Sequence, residues 1–349
     1  MKYLNMTYKT IGLLAFCLIA TLVSCDKGVE PNDNTISFSY TNETRNATEV
    51  YGATATFWGY NSSNWVYNDH LVAADITPAN GFEANLSTGN VVPTNATFKS
   101  KIESDPEYWQ ADNYHFYSLW PPRTGVRMYR QYDETESEGP GIYFNAVATT
   151  NPADQLFAYV GIPSSTAVSK TTPINFEYKH IYSKVIFNVR KHTGNTGDNV
   201  ILDSLSLTGV VLKGQFSCSN DGVLSFFATA NPDNVVLYGD AVANEGIELT
   251  AVEGGTTINP DGRLMLPQTI GYNTVKVKLV YRFLDNNNII IDSKRVEAYL
   301  PISSISKWEH NKVYTYNIYL APESNQILFG TPTAATWNQA QGGSTIIIQ

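Results

Sequence analysis

The chain contains 349 residues, with 23 lysines and arginines against 32 aspartates and glutamates, so its formal net charge at pH 7 is −9. Nucleic-acid binding requires a basic face, and this balance therefore excludes nucleic acid as the expected partner. The length is sufficient for two domains of ordinary size.

Residues 1–24 have the pattern of a secretory signal peptide. Two lysines precede the uncharged apolar run Ile11–Ala20, which is shorter than the roughly 20 residues of a bilayer-spanning helix. Leu-Val-Ser-Cys at 22–25 resembles a bacterial lipobox, in which the cysteine receives a diacylglyceryl group and the signal is removed just before it. We therefore expect Cys25 to begin the mature chain and to carry acyl chains, palmitate among them, that hold it on a membrane. The alternative is an ordinary secretory signal that contains a cysteine.

The remaining cysteines leave no pair for a disulfide. Cys17 falls in the signal and Cys25 is expected to carry lipid, so Cys218 stands alone in the mature chain. A lone cysteine is either a reactive thiol or a small buried hydrophobe, and the second interpretation is favoured here.

A polar tether and one short strand are predicted next. Residues 26–34 are polar, and Ile36–Thr41 then alternates strictly between apolar and polar residues. This alternation predicts a half-buried β-strand. The polar stretch 42–47, which contains Arg45, follows directly.

From Tyr51 onward, short runs rich in aromatic and β-branched residues recur between turn clusters, which predicts strands. No segment of 12 or more residues shows a helical stripe, although Asn95–Gln110 is compatible with one short helix. The predicted strands are Ala53–Tyr60, Tyr114–Trp120, Ile142–Val147, Leu156–Val160, Ile174–Val189, Ile201–Val211, Val223–Phe227, Leu264–Leu266, Thr274–Phe283, Arg295–Leu300 and Val313–Leu320.

Many short strands with a turn about every ten residues predict an all-β protein of two tandem β-sandwiches. A small, polar stretch between Pro163 and Pro173 marks the boundary. We therefore expect an N-terminal sandwich at residues 46–170 and a C-terminal sandwich at residues 171–349.

No constellation of catalytic residues is recognisable. The five histidines have no pair at metal-ligand spacing, and neither a nucleophile elbow nor a phosphate-binding loop is present, so we expect no enzyme, no metal and no cofactor. The four carboxylates in 133–138 lack the spacing of a calcium loop and are interpreted as a solvated loop. The tryptophans are expected in sandwich cores, and the alternative is a platform that stacks sugars. Those considered are Trp58, Trp65, Trp109 and Trp120.

Several stretches, in order and spacing, resemble the fimbrillins, which are the type V pilins of Gram-negative anaerobes. Tyr182 departs from the family, which often has a small residue or leucine at that position. The stretches are Phe116–Pro121, Asp154–Tyr159, Phe176–Phe187, Leu264–Gln268, Trp308, Tyr314–Ile318 and Trp337.

The resemblance implies a pilin of two transthyretin-like β-sandwiches that is assembled by strand exchange. In the family, an arginine-directed protease removes the N-terminal segment, and a strand of the neighbouring subunit fills the vacated groove. Carried onto this chain, the cleaved bond is Arg45–Asn46, and residues 25–45 are a tether and removable first strand. Its apolar residues are Ile36, Phe38 and Tyr40.

The donor strand is expected at residues 344–349, which contain Ile346, Ile347 and Ile348 after a flexible Gly-Gly joint. Six extended residues span about 20 Å, enough to cross a sandwich groove. Added as a strand, they would satisfy the open backbone edge while isoleucine side chains fill pockets. Two alternatives stay open: Arg45 is only a solvated loop residue, or the C-terminal strand completes its own domain.

These features together predict a structural subunit of a surface fimbrium that supports adhesion and biofilm formation. The expected partners are other fimbrial subunits, an arginine-specific protease, the outer membrane through the lipid, and a receptor on a host or bacterial surface. The expected location is the cell outer membrane, and the fimbrium after processing. The rival hypothesis is a stand-alone surface lipoprotein that binds glycans through exposed tryptophans; an enzyme is the weakest alternative.

Overall fold

The computed structural model describes residues 37–41, 54–61, 82–85, 96–97, 113–129 without 122 and 124, 141–149, 152–163, 174–191, 199–239, 246–251, 255–320 and 326–337. Every regular element in these ranges is a β-strand, which confirms the predicted all-β class. Residues 96 and 97, where a short helix was an option, pair as a strand instead. No helix within the described ranges is long and apolar enough to cross a bilayer.

The strands before residue 170 are β1 (Ser37–Thr41), β2 (Thr54–Asn61), β3 (Phe82–Asn85), β4 (Ala96–Thr97), β5 (Tyr114–Trp120), β6 (Arg127–Tyr129), β7 (Gly141–Val147) and β8 (Leu156–Ile162).

The strands after residue 170 are β9 (Ile174–Glu177), β10 (Lys179–His180), β11 (Ser183–Lys191), β12 (Asn199–Val210), β13 (Lys213–Ser219), β14 (Leu224–Ala228), β15 (Asp233–Tyr238), β16 (Ile247–Glu248), β17 (Thr256–Thr257), β18 (Arg263–Met265), β19 (Gln268–Thr269), β20 (Lys276–Leu284), β21 (Ile290–Tyr299), β22 (Lys307–Trp308), β23 (Lys312–Leu320), β24 (Ile327–Phe329) and β25 (Thr333–Thr336).

Hydrogen bonding joins these strands into several small sheets. Within the described part, the strand orders are β4-β1-β9, β10-β8-β5-β2-β3, β17-β11-β23-β24 with β18 and β25 attached, β15-β12-β20-β21 with β16 attached, β14-β13-β7-β6, and β19-β22.

Alternating side chains explain why the central strands of the second half form. In β20, residues Val277, Leu279, Tyr281 and Phe283 are buried, and every intervening residue is partly exposed. Successive side chains of a strand point to opposite faces, so this pattern places one apolar face on the core. β23 repeats the pattern and pairs with β11 in parallel over nine residues.

Besides the pairing of β1 with β9, two ladders join residues on either side of position 170. β7 pairs with β13 over seven residues, from Gly141 opposite Ser219 to Val147 opposite Lys213. Gly141 has a φ of 149°, and a Cβ at this position would clash with the Cys218 carbonyl oxygen, so glycine is required where this ladder begins. The shorter β8–β10 ladder makes a second crossing. The division into two sandwiches at 170/171 therefore stays a prediction.

Aromatic side chains are the largest members of the buried core. The largest fully buried side chains of the described part are Trp120, Trp308, Tyr114, Tyr117, Tyr182, Tyr281 and Tyr316. Their polar atoms mostly find partners, as buried tyrosine and tryptophan usually require: the Trp308 indole donates to the Tyr316 hydroxyl at 3.0 Å. Trp120 is thus a core residue. The other three tryptophans considered for a sugar platform lie outside the residues whose side chains are described.

Candidate functional site

The first strand occupies the middle of its sheet. β1 pairs in parallel with β9, from Phe38 opposite Ile174 to Thr41 opposite Glu177. On its other side, β1 pairs antiparallel with β4. Neighbouring strands are separated by about 4.8 Å, so β4 and β9 lie about 10 Å apart with β1 between them. Removing β1 would leave an unpaired backbone edge on each neighbour, with a slot about one strand wide where β4 borders it at Ser37 and Phe38.

The strand on one side of this slot is anchored in the core. Phe176 in β9 is fully buried, and its ring contacts Tyr178 at a centroid distance of 6.2 Å. Tyr178 in turn meets the Trp120 ring edge-on and shares a hydrogen bond of 2.5 Å with Ser118 in β5. β1 is the ladder partner of β9 in this sheet, and these contacts tie the chain at the end of β9 to β5.

A buried polar cluster lies directly after β9. His180 Nδ1 is 2.5 Å from Asp154 Oδ2, and both side chains are at most 3% exposed. The Trp337 ring stacks on the His180 ring at 3.8 Å and 6°. The Lys184 ammonium lies 5.7 Å from the centroid of the same indole. The cluster therefore ties three distant parts of the chain together, including Trp337 near the end of the described part.

Most of the predicted site residues fall outside the described part. Phe38 and Tyr40 lie in β1, whose backbone pairing is given above. The others are Cys25, Ile36, Arg45, Asn46, Ile346, Ile347 and Ile348; they lie outside the described residues, and their roles stay predictions.

The contacts of the described histidines indicate structural roles. His115 Nδ1 lies 3.1 Å from the Tyr159 hydroxyl, and His180 is paired with Asp154. Burial lowers the pKa of His310, and the nearby Lys179 lowers it further. Across the described ranges, no group of three or more potential metal ligands comes together.

Cys218 is buried in β13, and burial raises the pKa of its thiol to about 12. The thiolate is the reactive form, so this environment makes the residue inert. In a chain without residues 1–24 and with Cys25→Ser, we expect no reaction with a thiol reagent such as DTNB at pH 8 until the protein is unfolded. Rapid modification of the native protein would contradict this assignment.

Sequence reasoning did not find a cleft of about 660 Å³ that lies between β14 and the wall formed by β19, β22 and the start of β23. Four of its charged lining residues lie within residues 307–312, and the fifth comes from a strand far away in the sequence, so only the fold brings these five side chains together. They are Lys179, Lys307, Glu309, His310 and Lys312.

Comparison with known proteins agrees with this fold. A family model described as fimbrillin-like matches residues 62–337. A fimbrial protein from Bacteroides vulgatus superposes with a TM-score of 0.58 and 10% identity, covering 86% of this chain and 99% of that one. A protein from Parabacteroides distasonis named for cell adhesion gives 0.52 and 10%, covering 88% and 98%. No curated protein sequence matches the chain.

The two structural likenesses, at 10% identity, establish a shared fold. The family match establishes more, because it spans well over half of the chain and includes the aromatic strands and the C-terminal Trp337 on which the resemblance rested. The chain belongs to the fimbrillin-like family.

Proposed function

We propose that this protein is a structural subunit of a surface fimbrium, assembled by strand exchange and serving adhesion and biofilm formation. Membership of the fimbrillin-like family supports a fimbrial, adhesion-type role at the cell surface over an enzymatic one. The observation that carries the assembly mechanism is the position of β1, an N-terminal strand held between β4 and β9.

An N-terminal strand in the middle of a sheet is unusually easy to exchange. All other described strands follow β1 in the chain. One cut after β1 therefore releases this strand without breaking any connection between the others. The two edges it leaves present unpaired N–H and C=O groups, which a strand from another molecule satisfies by β-augmentation. The proposed cut is at Arg45–Asn46, four residues beyond the end of β1.

The proposed donor is the segment 344–349 of a neighbouring subunit. By the period-2 rule Ile346 and Ile348 share one face of an extended strand, as do Phe38 and Tyr40 of β1. Donor and displaced strand thus offer the same arrangement of two apolar residues, on six and five residues respectively.

The remaining parts of the proposal concern location. A lipid on Cys25 would hold the precursor on the outer membrane until cleavage, because the lipid and β1 lie on the same side of Arg45. A cleaved subunit then leaves with the growing fimbrium, and an uncleaved one stays as an anchor. Other subunits, an arginine-specific protease and a surface receptor are the proposed partners.

Treatment of the purified protein with an arginine-specific protease tests this function. We expect release of residues 25–45, a new N-terminus at Asn46, and multimers that appear as a ladder in unheated gel samples and collapse on heating. The matched control is Arg45→Lys, which keeps the positive charge and removes the cleavage site; it should stay monomeric. A cleaved chain that remains a monomer would overturn the shaft role.

A further inference from the structure

The cleft beside β14 is a cationic site in an acidic protein. Three lysines and one glutamate line it, which gives it a formal charge of +2, while the whole chain carries −9. The lysines come from three separate elements: Lys179 from β10, Lys307 from β22 and Lys312 from β23. Like charges gathered around a concave surface create a potential that attracts anions.

Among the described residues, Lys307 is the cleft lysine that forms an ion pair. Lys307 Nζ forms an ion pair with Glu309 Oε1 at 2.6 Å. Among the described residues, no carboxylate lies within 4.0 Å of the ammonium group of Lys179 or Lys312. Lys179 and Lys312 line the cleft together with His310, whose pKa is lowered chiefly by burial and further by these two lysines, while Glu309 acts in the opposite direction. The lining residues therefore carry a formal excess of two positive charges.

The other lining residues suit a polar, ring-shaped molecule. Phe226 of β14 is half-buried and contributes an aromatic ring, while Ser225, Thr269 and Thr336 contribute hydroxyl groups. A volume of about 660 Å³ lies in the range of small-molecule sites, which combine apolar walls with a few polar groups. Hydroxyl donors and acceptors beside an aromatic ring are the usual surroundings of a bound sugar.

We propose that this cleft binds an acidic saccharide, whose carboxylate or sulfate group is held by Lys179 and Lys312. The site goes beyond the proposed fimbrial assembly, since no lining residue belongs to β1, β4 or β9. It therefore works in the monomer, and its test is separate from the test of polymerisation.

Titration of the full chain with two matched sugars tests the proposal. The probes are 3′-sialyllactose and lactose, which differ by the acidic residue; 3′-sulfolactose distinguishes sulfate from carboxylate. We expect calorimetry or NMR titration to show at least tenfold tighter binding of an acidic probe than of lactose, about 1.4 kcal/mol. Raising the salt concentration should weaken this preference, because exposed charges are screened.

Variants locate the site. Combining Lys179→Glu with Lys312→Glu should reduce affinity for the acidic probe about tenfold or more, since two favourable charges become repulsive. Lys213→Glu makes the same kind of change on an exposed residue outside the cleft and should leave binding unchanged. Ser225→Trp fills the cleft without changing its charge and should also abolish binding. Circular dichroism and thermal melting confirm that each variant is folded.

Four results would overturn the proposal. They are equal affinity for lactose and the acidic probes, no binding of any of the three sugars, an equal loss in the Lys213→Glu control, and tighter binding of a glutamate-rich peptide, which would assign the cleft to a protein partner.

Discussion

Deletion of residues 344–349 is expected to abolish polymers of the cleaved protein while leaving the monomer folded. The described strands end at Thr336 and Trp337 packs on His180, so the contacts of the described core lie upstream of the deletion. Without the apolar segment, no strand is available to fill the slot between β4 and β9 of a neighbour. Gel ladders, sedimentation and electron microscopy of protease-treated protein measure this loss, which should be complete.

A matched control separates sequence from length in this experiment. Ile346→Asp with Ile348→Asp keeps the segment's length but places charges on the face that would enter the slot, and burying an unpaired charge is strongly unfavourable. This variant should fail to polymerise like the deletion. Ser344→Ala, at the start of the segment, should polymerise normally. Ladders that persist in the deletion would show that another segment is the donor.

Alternation in the sequence predicts much of the strand content. Tyr114–Trp120 is predicted with the bounds that the structure gives it, and the Thr274–Phe283 prediction differs from β20 by two residues at most. In both cases, β-branched and aromatic residues lie between clear turn signals, so the local signal agrees with the fold.

The alternation of apolar and polar residues does not predict the strand boundaries where consecutive residues are buried. Ile174–Val189 is predicted as one run, whereas the structure divides it into β9, β10 and β11. From Ile181 to Val185 every residue is buried, including Ser183 and Lys184, because strands and loops cover both faces of the chain there. Alternation of apolar and polar residues identifies a strand that is buried on one face. It does not identify a segment that is buried on both faces.

The pairing of strands could not be predicted from the sequence, for a different reason. The parallel pairing of β11 with β23 joins residues about 129 positions apart, as between Asn188 and Asn317. Side-chain periodicity identifies the buried face of each strand but not the neighbour along its edge, which depends on how the whole chain closes. The cleft was missed for the same reason, since Lys307 and Lys312 are close in sequence but only the fold brings Lys179 to the same cleft.

Loss of the Asp154 carboxylate is expected to be the most destabilising single change in the polar cluster. Asp154→Ala leaves His180 Nδ1 without its 2.5 Å partner, and His180 Nε2 already lacks a hydrogen-bond partner among the described residues. Breaking one side of such a buried pair costs about 3 to 5 kcal/mol. Asp154→Asn retains a hydrogen-bonding group and should cost less. Urea unfolding with an unchanged m-value measures both.

The expected loss of stability comes from the burial of Asp154 and His180 rather than from their charge. Two comparisons test that reasoning. Glu297→Gln removes the exposed partner of Lys276 and Lys278 and should leave the urea midpoint nearly unchanged. Asp154→Leu combined with His180→Phe removes both buried polar groups, keeps an aromatic ring beneath Trp337, and should recover much of the stability lost in Asp154→Ala. If Asp154→Ala unfolds at the same urea concentration as Glu297→Gln, the buried cluster does not hold the two halves of the chain together. Trp337 would then be only loosely attached to the core.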